Sequence, residues 1–373
     1  MSIELKDEAR RQAQICNSCR YCEGFCSVFP AMHRERMFAD GDITQLANLC
    51  HNCQNCFHAC QYTAPHEFDI NLPQILAKLR QESWEDHAWP RGMGKAFHRN
   101  GTLIAVAAIV GVALLFWAAR SLPAGGEGFY AVMSHNVMIA IFLPAFILPL
   151  VSLAVGLRGY WRTVGGTRIQ ISDITEAFGS AAKMRNLSGG HGEGCNFEDE
   201  DRFSQRRRVL HQMVMYGFLL CFASTSSGTI LHYVFDMPAP YSLLSLPKLL
   251  GVSGGVILSL GTLGMMWLKT RGIPSLTDER VRGGEFGFIL LLFMVSTTGL
   301  LLYLAGGTPL LESMLVVHLG AVLAFFLLTP FSKMAHGFYR LAALIRDAQV
   351  KRDNDVVTGS AGAEARLGKS MRQ

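Results

Sequence analysis

The chain has 373 residues, of which 50% are hydrophobic and 17% are charged, and its formal net charge at pH 7 is +5. This composition is too apolar for an ordinary soluble protein and too charged for a chain that lies wholly in a membrane, so it indicates soluble parts joined to several membrane spans. It excludes a chain that is mainly disordered and a secreted protein held together mainly by disulfides. Lys and Arg form no basic stripe with interleaved aromatics, so nucleic acid is not expected as a partner.

Cysteine is concentrated near the N-terminus, where eight of the ten cysteines lie between Cys16 and Cys60. No apolar export segment precedes them, so we expect this part of the chain to stay in the reducing cytoplasm. Thiols in two tight groups of a cytoplasmic segment are typical of metal ligands rather than of disulfides.

Both groups follow the pattern C-x2-C-x2-C-x3-C, once from Cys16 to Cys26 and again from Cys50 to Cys60. In two-cluster ferredoxins the first three cysteines of such a motif bind one cluster and the fourth binds the other. The pattern therefore predicts two [4Fe–4S] clusters, with ligands Cys16, Cys19, Cys22 and Cys60 for the first, and Cys50, Cys53, Cys56 and Cys26 for the second. The alternative is a pair of structural zinc sites, which usually use two well-separated ligand pairs.

Helical patterns at 42–49 and 72–80, with little strand alternation, indicate an α-helical ferredoxin-like domain over residues 1–100. Six apolar stretches follow, and each is about long enough to cross a membrane as a helix. They cover roughly 102–119, 131–157, 209–235, 246–268, 286–305 and 310–331. The predicted fold class is all-α, with a six-helix membrane bundle over 101–345, a cytoplasmic loop at 158–208 and a disordered cytoplasmic tail at 346–373.

The basic residues predict the orientation of this bundle. When the six spans are threaded from a cytoplasmic N-terminus, all of the 34 Lys and Arg residues except Arg120 and Lys248 fall on the cytoplasmic side. This is a strong positive-inside pattern. We therefore expect a multi-pass protein of the bacterial inner membrane with both termini in the cytoplasm.

Several histidines fall within or at the ends of the spans, where ionisable residues are costly and are functional candidates. His211 and His232 lie at opposite ends of the third span, and His318 and His336 are five helical turns apart along the sixth. Two helices that each offer a histidine at two levels predict one or two b-type haems, paired as His211 with His336 and His232 with His318. His135 competes for the outer haem. The alternative is that these histidines are interfacial capping residues.

A haem between helices also requires small residues, which the third and fourth spans supply, for example Gly228, Gly254 and Gly261. His191 and Cys195 are too few for a metal site by themselves. The sequence has no Gly-rich phosphate loop after a strand, so we expect no flavin or nicotinamide site and no site for substrate chemistry in this chain.

The order of these parts resembles the tricarballylate/citrate-utilisation protein B family. The similarity rests on ICNSCRYCEGFC and LCHNCQNCFHAC, the six spans, and GEGC and RRRVLHQ before the third span, over about residues 10–345. The resemblance implies a partner FAD-dependent tricarballylate dehydrogenase, which oxidises tricarballylate to cis-aconitate. The chain would then be the electron-transfer component that reoxidises the FAD and delivers electrons to the quinone pool.

Two other functions remain open at this stage. The chain is alternatively the membrane subunit of a different flavoprotein or of a heterodisulfide-reductase-like complex. A membrane redox or metal sensor is the second alternative, and it predicts neither haem nor quinone reduction.

Overall fold

The structure is a computed structural model that describes residues 2–35, 37–119, 134–189, 192–196, 202–237, 239 and 241–370, with side chains described up to residue 354 apart from residue 279. In this part of the chain, nearly all regular structure is helical, which confirms the predicted all-α class. The one sheet described is a short antiparallel ribbon of β1 (Cys195–Asn196) and β2 (Phe203–Ser204).

The N-terminal segment contains five helices that surround the two cysteine motifs. They are α1 (Ile3–Cys19), α2 (Val28–Arg34), α3 (Asp40–Leu49), α4 (Asn55–His58) and α5 (Leu72–His87). Helix α3 begins where the Asp42 carboxylate accepts a 2.8 Å hydrogen bond from the Ala39 amide, which satisfies one of the unpaired amides of the first turn.

Six further helices are long and apolar enough to cross a membrane, as the six predicted stretches require. They are α6 (Met93–Ala119), α7 (His135–Thr163), α9 (Arg206–Val234), α10 (Leu246–Arg271), α11 (Arg282–Leu304) and α12 (Leu311–Leu328). Two further α-helices, α8 (Ile171–Lys183) and α13 (Ala335–Ser370), and three short 3-10 helices (Arg185–Leu187, Pro274–Leu276 and Glu279–Val281) complete the described set.

Contacts divide the chain into two compact units. The first, here called the cysteine unit, contains residues 1–83, 157–192 and 336–373, and the second, the span unit, contains residues 84–156 and 193–335. The cysteine unit thus includes α8 and α13 as well as the N-terminal helices. Its core contains Met32, Ile43, Leu46, Leu79 and Tyr160, all at most 1% exposed.

The span unit is held together by close helix packing at glycines. A Cβ atom at Gly101 of α6 would lie 2.5 Å from the Cα of Gly284 on α11, and a Cβ at Gly287 would lie 2.5 Å from the carbonyl carbon of Gly101. The two backbones touch because neither helix has a side chain there, as in other membrane helix pairs with small residues. Helix α6 is kinked at Asn100, directly before this contact.

The contacts between helix ends in the span unit agree with consecutive helices that run in opposite directions, as six consecutive spans require. Glu285 at the start of α11 forms ion pairs with Lys269 at the end of α10 and with Lys333 beyond α12. At the other ends, His135 at the start of α7 meets Tyr233 at the end of α9. The two groups of contacts therefore mark opposite ends of the bundle.

Helix α8 begins at Ile171, with the Asp173 carboxylate accepting a 2.8 Å hydrogen bond from the Gln170 amide. One local feature differs from the sequence analysis. Helix α13 continues through 346–354, where disorder is expected from the polar composition. The physical reason is that Asp347, 2% exposed at its side chain, pairs with Arg34 of α2, so tertiary contacts hold the segment in place.

Candidate iron–sulfur site

The first cysteine motif begins at the end of α1. Cys16 and Cys19 lie on its last turn, and the chain then reverses at Arg20, whose left-handed backbone (φ 58°) donates its amide to the Cys16 carbonyl at 2.9 Å. A tight turn closed by the Phe25 amide on the Cys22 carbonyl follows. The chain therefore reverses its direction within a few residues, and the thiols of the motif come close to one another.

The second motif makes a similar reversal after α3. Asn52 and Gln54 both adopt positive φ angles, 54° and 68°, which are uncommon for residues other than glycine. The Asn52 amide donates to Cys50 Sγ and the Tyr62 amide donates to Cys60 Sγ, each at 3.4 Å. Amide hydrogen bonds of this kind stabilise charge on a cluster-bound sulfur and are one of the factors that set cluster potentials.

A cavity of about 240 Å³ joins the two motifs. Five cysteines line it together with apolar side chains such as Ile15, Phe29 and Leu72; the five are Cys16, Cys19, Cys22, Cys56 and Cys60. The set includes the three leading thiols of the first motif and the last thiol of the second. These are the four residues that the spacing predicts as ligands of one cluster.

The thiols that raise one another's pKa fall into the same two groups as the motif spacing predicts. Burial, followed by the nearby thiols of Cys22, Cys60 and Cys19, raises the pKa of Cys16 to about 12. The pKa of Cys26 is raised well above its ordinary value by burial and then by Cys53 and Cys50 of the other motif. Each motif thus contributes its fourth cysteine to the neighbourhood of the other motif.

The chemistry of the donor set fits an iron–sulfur group. The eight thiols lie in two groups, and five of them line one cavity together with apolar side chains; thiolates are the ligands that hold iron–sulfur clusters. Among the described residues, no group of three or more His, Cys, Asp or Glu side chains is already arranged to hold a metal ion.

The remaining cysteines have structural surroundings. Cys195 is 1% exposed in β1, opposite Ser204 of β2. Gly194 precedes it with φ 105°, and a Cβ there would lie 2.2 Å from the Ser204 carbonyl oxygen. His191 lies outside the described residues. Cys221 packs against the apolar core of the span unit.

The rings of His135 and His232 lie against each other in the span unit. Their centroids are 4.7 Å apart with a tilt of 33° between the ring planes, and His135 Nε2 lies 2.8 Å from the Tyr233 hydroxyl. An iron bound between two imidazoles holds the ring centroids roughly 6 Å apart, because each metal–nitrogen bond is about 2 Å. The two rings are therefore closer together here than two axial ligands of one iron.

His318 has a different environment. Its Nδ1 lies 3.0 Å from the Thr298 hydroxyl of α11, and a Cβ at Gly299 would lie 3.0 Å from the ring. A hydrogen bond at one ring nitrogen fixes the orientation of the other, as the hydrogen-bond partners of metal-binding histidines do. His211 is on the second turn of α9, and its pairing with His336 remains a prediction. His336 lies on the first turn of α13, whereas the helix of His318 ends at Leu328, so the two histidines do not share one continuous helix as the sequence analysis expects.

Two of the glycines that the sequence analysis offers as space for a haem, Gly254 and Gly261, pack against a neighbouring helix instead. A Cβ at Gly254 of α10 would lie 2.9 Å from the Cys221 amide nitrogen of α9, and one at Gly261 would lie 2.9 Å from the Val214 amide nitrogen. These glycines therefore bring α9 and α10 into direct backbone contact. They provide no gap for a ligand between these two helices.

Sequence reasoning missed two kinds of residue. Arg80 of α5 and Arg340 of α13 both donate to the main-chain carbonyl of Cys50, at 2.7 and 3.1 Å. His98, 5% exposed, lies beside Gly284 and 3.5 Å from Glu85. An arginine within the apolar pattern of α5 was the only signal available, and nothing in the sequence links Arg340 to Cys50 because 290 positions separate them.

Comparison with known proteins identifies two family regions. The family described as Citrate utilization protein B matches residues 97–356, and its Fer4-like domain matches residues 9–88. A curated Escherichia coli protein, Citrate utilization protein B, is 40% identical over 356 residues, which cover 94% of this chain and 93% of that protein. No solved structure matches the chain.

Proposed function

The chain belongs to the citrate utilization protein B family, and from this membership we propose that it is the membrane electron-transfer protein of a tricarballylate or citrate oxidation system. Its role is to reoxidise the reduced FAD of a partner tricarballylate dehydrogenase and to deliver the electrons to membrane quinone. The observation that carries the proposal is the cavity in which Cys16, Cys19 and Cys22 meet Cys60. A paired, crossed set of four-cysteine groups is the arrangement of two-cluster ferredoxins.

In this proposal Cys16, Cys19, Cys22 and Cys60 hold one [4Fe–4S] cluster, and Cys50, Cys53, Cys56 and Cys26 hold the second. The clusters supply one-electron transfer when bound. The protein supplies the amide hydrogen bonds to Cys50 and Cys60, and apolar side chains such as Phe29 and Leu72 that line the cavity. The functional division is residues 1–100 for the clusters and 101–345 for the membrane part.

We further propose that the membrane part binds b-type haem, with His318 as an axial ligand. The support is the hydrogen bond that orients its imidazole from Thr298. The second ligand is drawn from His232, His135, His211 and His336. Haem in the span unit would connect the cluster-binding region with quinone dissolved in the bilayer.

The proposed orientation places both termini in the cytoplasm of a bacterial inner membrane. It is supported by the Lys and Arg distribution, because only Arg120 and Lys248 fall on the other side. The ion pairs of Glu285 with Lys269 and Lys333 are consistent with the proposed threading, because they bring together the three helix ends that it assigns to one side. A flavoprotein in the cytoplasm then has access to the cluster-binding region.

The test is a dithionite-reduced minus oxidised optical spectrum of the purified protein, with iron and acid-labile sulfide measured on the same sample. About eight iron and eight sulfide per chain beyond haem iron are expected for two cubane clusters, together with b-type haem bands. Cys19→Ser should lower the iron content by about half, whereas the control Cys221→Ser, outside the motifs, should not change it. Zinc in place of iron and sulfide would overturn the proposal in favour of a sensor.

The identity of the partner needs a separate assay. Reduced tricarballylate dehydrogenase should pass electrons to a quinone analogue only when this protein is present, and Cys19→Ser should abolish the transfer. Transfer from a different flavoprotein, but not from this dehydrogenase, would assign the chain to another complex while leaving the electron-transfer function in place.

A further inference from the structure

Two arginine side chains from distant parts of the sequence meet at one predicted cluster ligand. Arg80 Nη1 donates to the Cys50 carbonyl at 2.7 Å, and Arg340 Nη2 donates to the same oxygen at 3.1 Å. Arg80 is 8% exposed, and Arg340 Nε is buried with no hydrogen-bond partner among the described residues. All three residues belong to the cysteine unit.

This arrangement lowers the stability of the protein when no cluster is bound. Two like charges in a buried site repel each other, and each has lost its water. Burial lowers the pKa of both arginines, and the charge of Arg80 lowers that of Arg340 further. The acceptors at this point are neutral: both arginines share the Cys50 carbonyl, and Arg80 Nη1 also lies 3.4 Å from the Ala47 carbonyl. A group with net negative charge at Cys50 would compensate for both.

We propose that the Arg80–Arg340 pair raises the reduction potential of the cluster held by Cys50, Cys53, Cys56 and Cys26. The inference rests on the proposed function. A cubane with four thiolate ligands carries net negative charge, and one-electron reduction makes it more negative by one. Nearby fixed cations in a low-dielectric site therefore stabilise the reduced state more than the oxidised state.

The other cysteine group lacks this arrangement in the described residues. The arginine nearest in sequence to Cys19 is Arg20, an exposed residue that donates to the Asn17 carbonyl. Cys19 itself is exposed, and exposed charges are screened by water and salt. The pair should thus set the potential of the Cys50 cluster above that of the Cys16 cluster and favour electron flow in that direction.

A purely structural role is the competing explanation, because Ala47 and Cys50 supply the last carbonyls of α3 and arginine side chains often cap such ends. Charge and hydrogen bonding can be separated by substitution. Arg340→Gln keeps an amide donor but removes the charge, whereas Arg340→Lys keeps the charge. Arg346→Gln is the matched control, since Arg346 is on the same helix but donates to the Val164 carbonyl at 3.1 Å.

The experiment is a redox titration of the full-length protein in detergent, with both clusters followed by electron paramagnetic resonance. Arg340→Gln should shift one cluster toward lower potential by at least a tenfold change in its reduced-to-oxidised ratio, which is about 59 mV for one electron. Arg340→Lys should restore most of this shift, and Arg346→Gln should leave both potentials unchanged. Arg80→Gln provides a second, independent variant should Arg340→Gln not fold.

Unchanged potentials in Arg340→Gln and Arg80→Gln, with both clusters present, would overturn the inference and leave the proposed function intact. Equal shifts in Arg340→Gln and Arg340→Lys would also overturn it, since the effect would then not depend on charge. Wild-type protein without cluster signals would overturn the proposed function, and the inference with it. The two failures are therefore distinguishable in one set of samples.

Discussion

At the scale of single residues, the fourth cysteine of each motif distinguishes two ways in which the proposed clusters could be held. Cys60 lies in the cavity with Cys16, Cys19 and Cys22, whereas Cys26 has Cys50 and Cys53 as neighbours. A motif that closed its own cluster would instead keep Cys60 with its own three partners. The two arrangements use the same eight thiols and differ only in these two positions.

Double substitutions distinguish them. Cys19→Ala together with Cys60→Ala should retain about half of the cluster iron, because both residues belong to one cubane of four iron atoms. Cys19→Ala together with Cys26→Ala should remove nearly all of it, because each change damages a different cluster. Iron and acid-labile sulfide per chain are the measurement, and local closure of each motif predicts the reverse outcome for the two pairs.

The histidine proposal is also tested at this scale. His318→Ala should abolish or strongly reduce haem absorbance while cluster iron and sulfide stay in place. Thr298→Val keeps the shape of the side chain but removes the hydroxyl that lies 3.0 Å from His318 Nδ1, so it should shift the haem potential without removing the haem. His66→Ala, a change in the cysteine unit, is the control. Full haem content in His318→Ala would exclude this residue as a ligand.

At the scale of the helices, glycine contacts decide how the spans approach each other. Gly287 of α11 touches the Gly101 backbone of α6, and the hydroxyl of Thr102 donates to the Gly283 carbonyl at 2.9 Å beside it. A methyl group at position 287 would collide with backbone atoms that have no rotamer to change. The helices would have to move apart over their whole contact.

Gly287→Ala should therefore lower the stability of the span unit by about 1–3 kcal/mol, the usual cost of overpacking a close contact. Gly111→Ala on α6 is the matched control, because a Cβ at that position has no neighbour within 4 Å and alanine is the better helix former. Thermal unfolding in one detergent compares the two variants. Equal melting temperatures for both would mean that the α6–α11 contact does not limit stability.

Hydropathy and motif spacing predicted much of the molecule, because both signals are local. Each of the six apolar stretches corresponds to a helix, and Cys60 lines one cavity with the three cysteines that the spacing groups with it; that these four bind one cluster stays a prediction. Long-range contacts between polar segments were not predictable. Nothing local to Asp173 indicates that it caps α8 and also binds Arg352, since such a pair is fixed by tertiary packing.

The same reasoning explains the two differences in the membrane part. Glycines in spans signal close approach, but the sequence does not say whether a helix or a cofactor is the neighbour, and Gly254 and Gly261 contact α9. A histidine at the end of a span is expected equally at a functional site and at a membrane interface. In the structure, the His135 ring lies against the His232 ring. In both cases the residue type indicated a special position, but the sequence did not indicate which group lies next to it.

At the scale of the whole molecule, the cysteine unit is assembled from three separate parts of the chain. Asp347 of α13 pairs with Arg34 of α2, and Gln349 donates to the Thr167 carbonyl at 3.2 Å. Arg352 reaches Asp173 of α8, which is 1% exposed. The segment 346–354 therefore links the N-terminal helices with the connection between α7 and α9.

Two truncations test this assembly. A chain that ends after residue 354 keeps every contact named above, so its cluster content and melting temperature should match those of the full chain. A chain that ends after residue 344 loses Asp347, Gln349 and Arg352 together. The Asp173 carboxylate, which is 1% exposed, would lose its ion pair with Arg352, so the cysteine unit should unfold at lower temperature and lose iron on dilution. Equal cluster retention in both truncated chains would show that the N-terminal helices hold the cysteine motifs without α13, and the pairing of Arg34 with Asp347 would then be incidental to cluster binding.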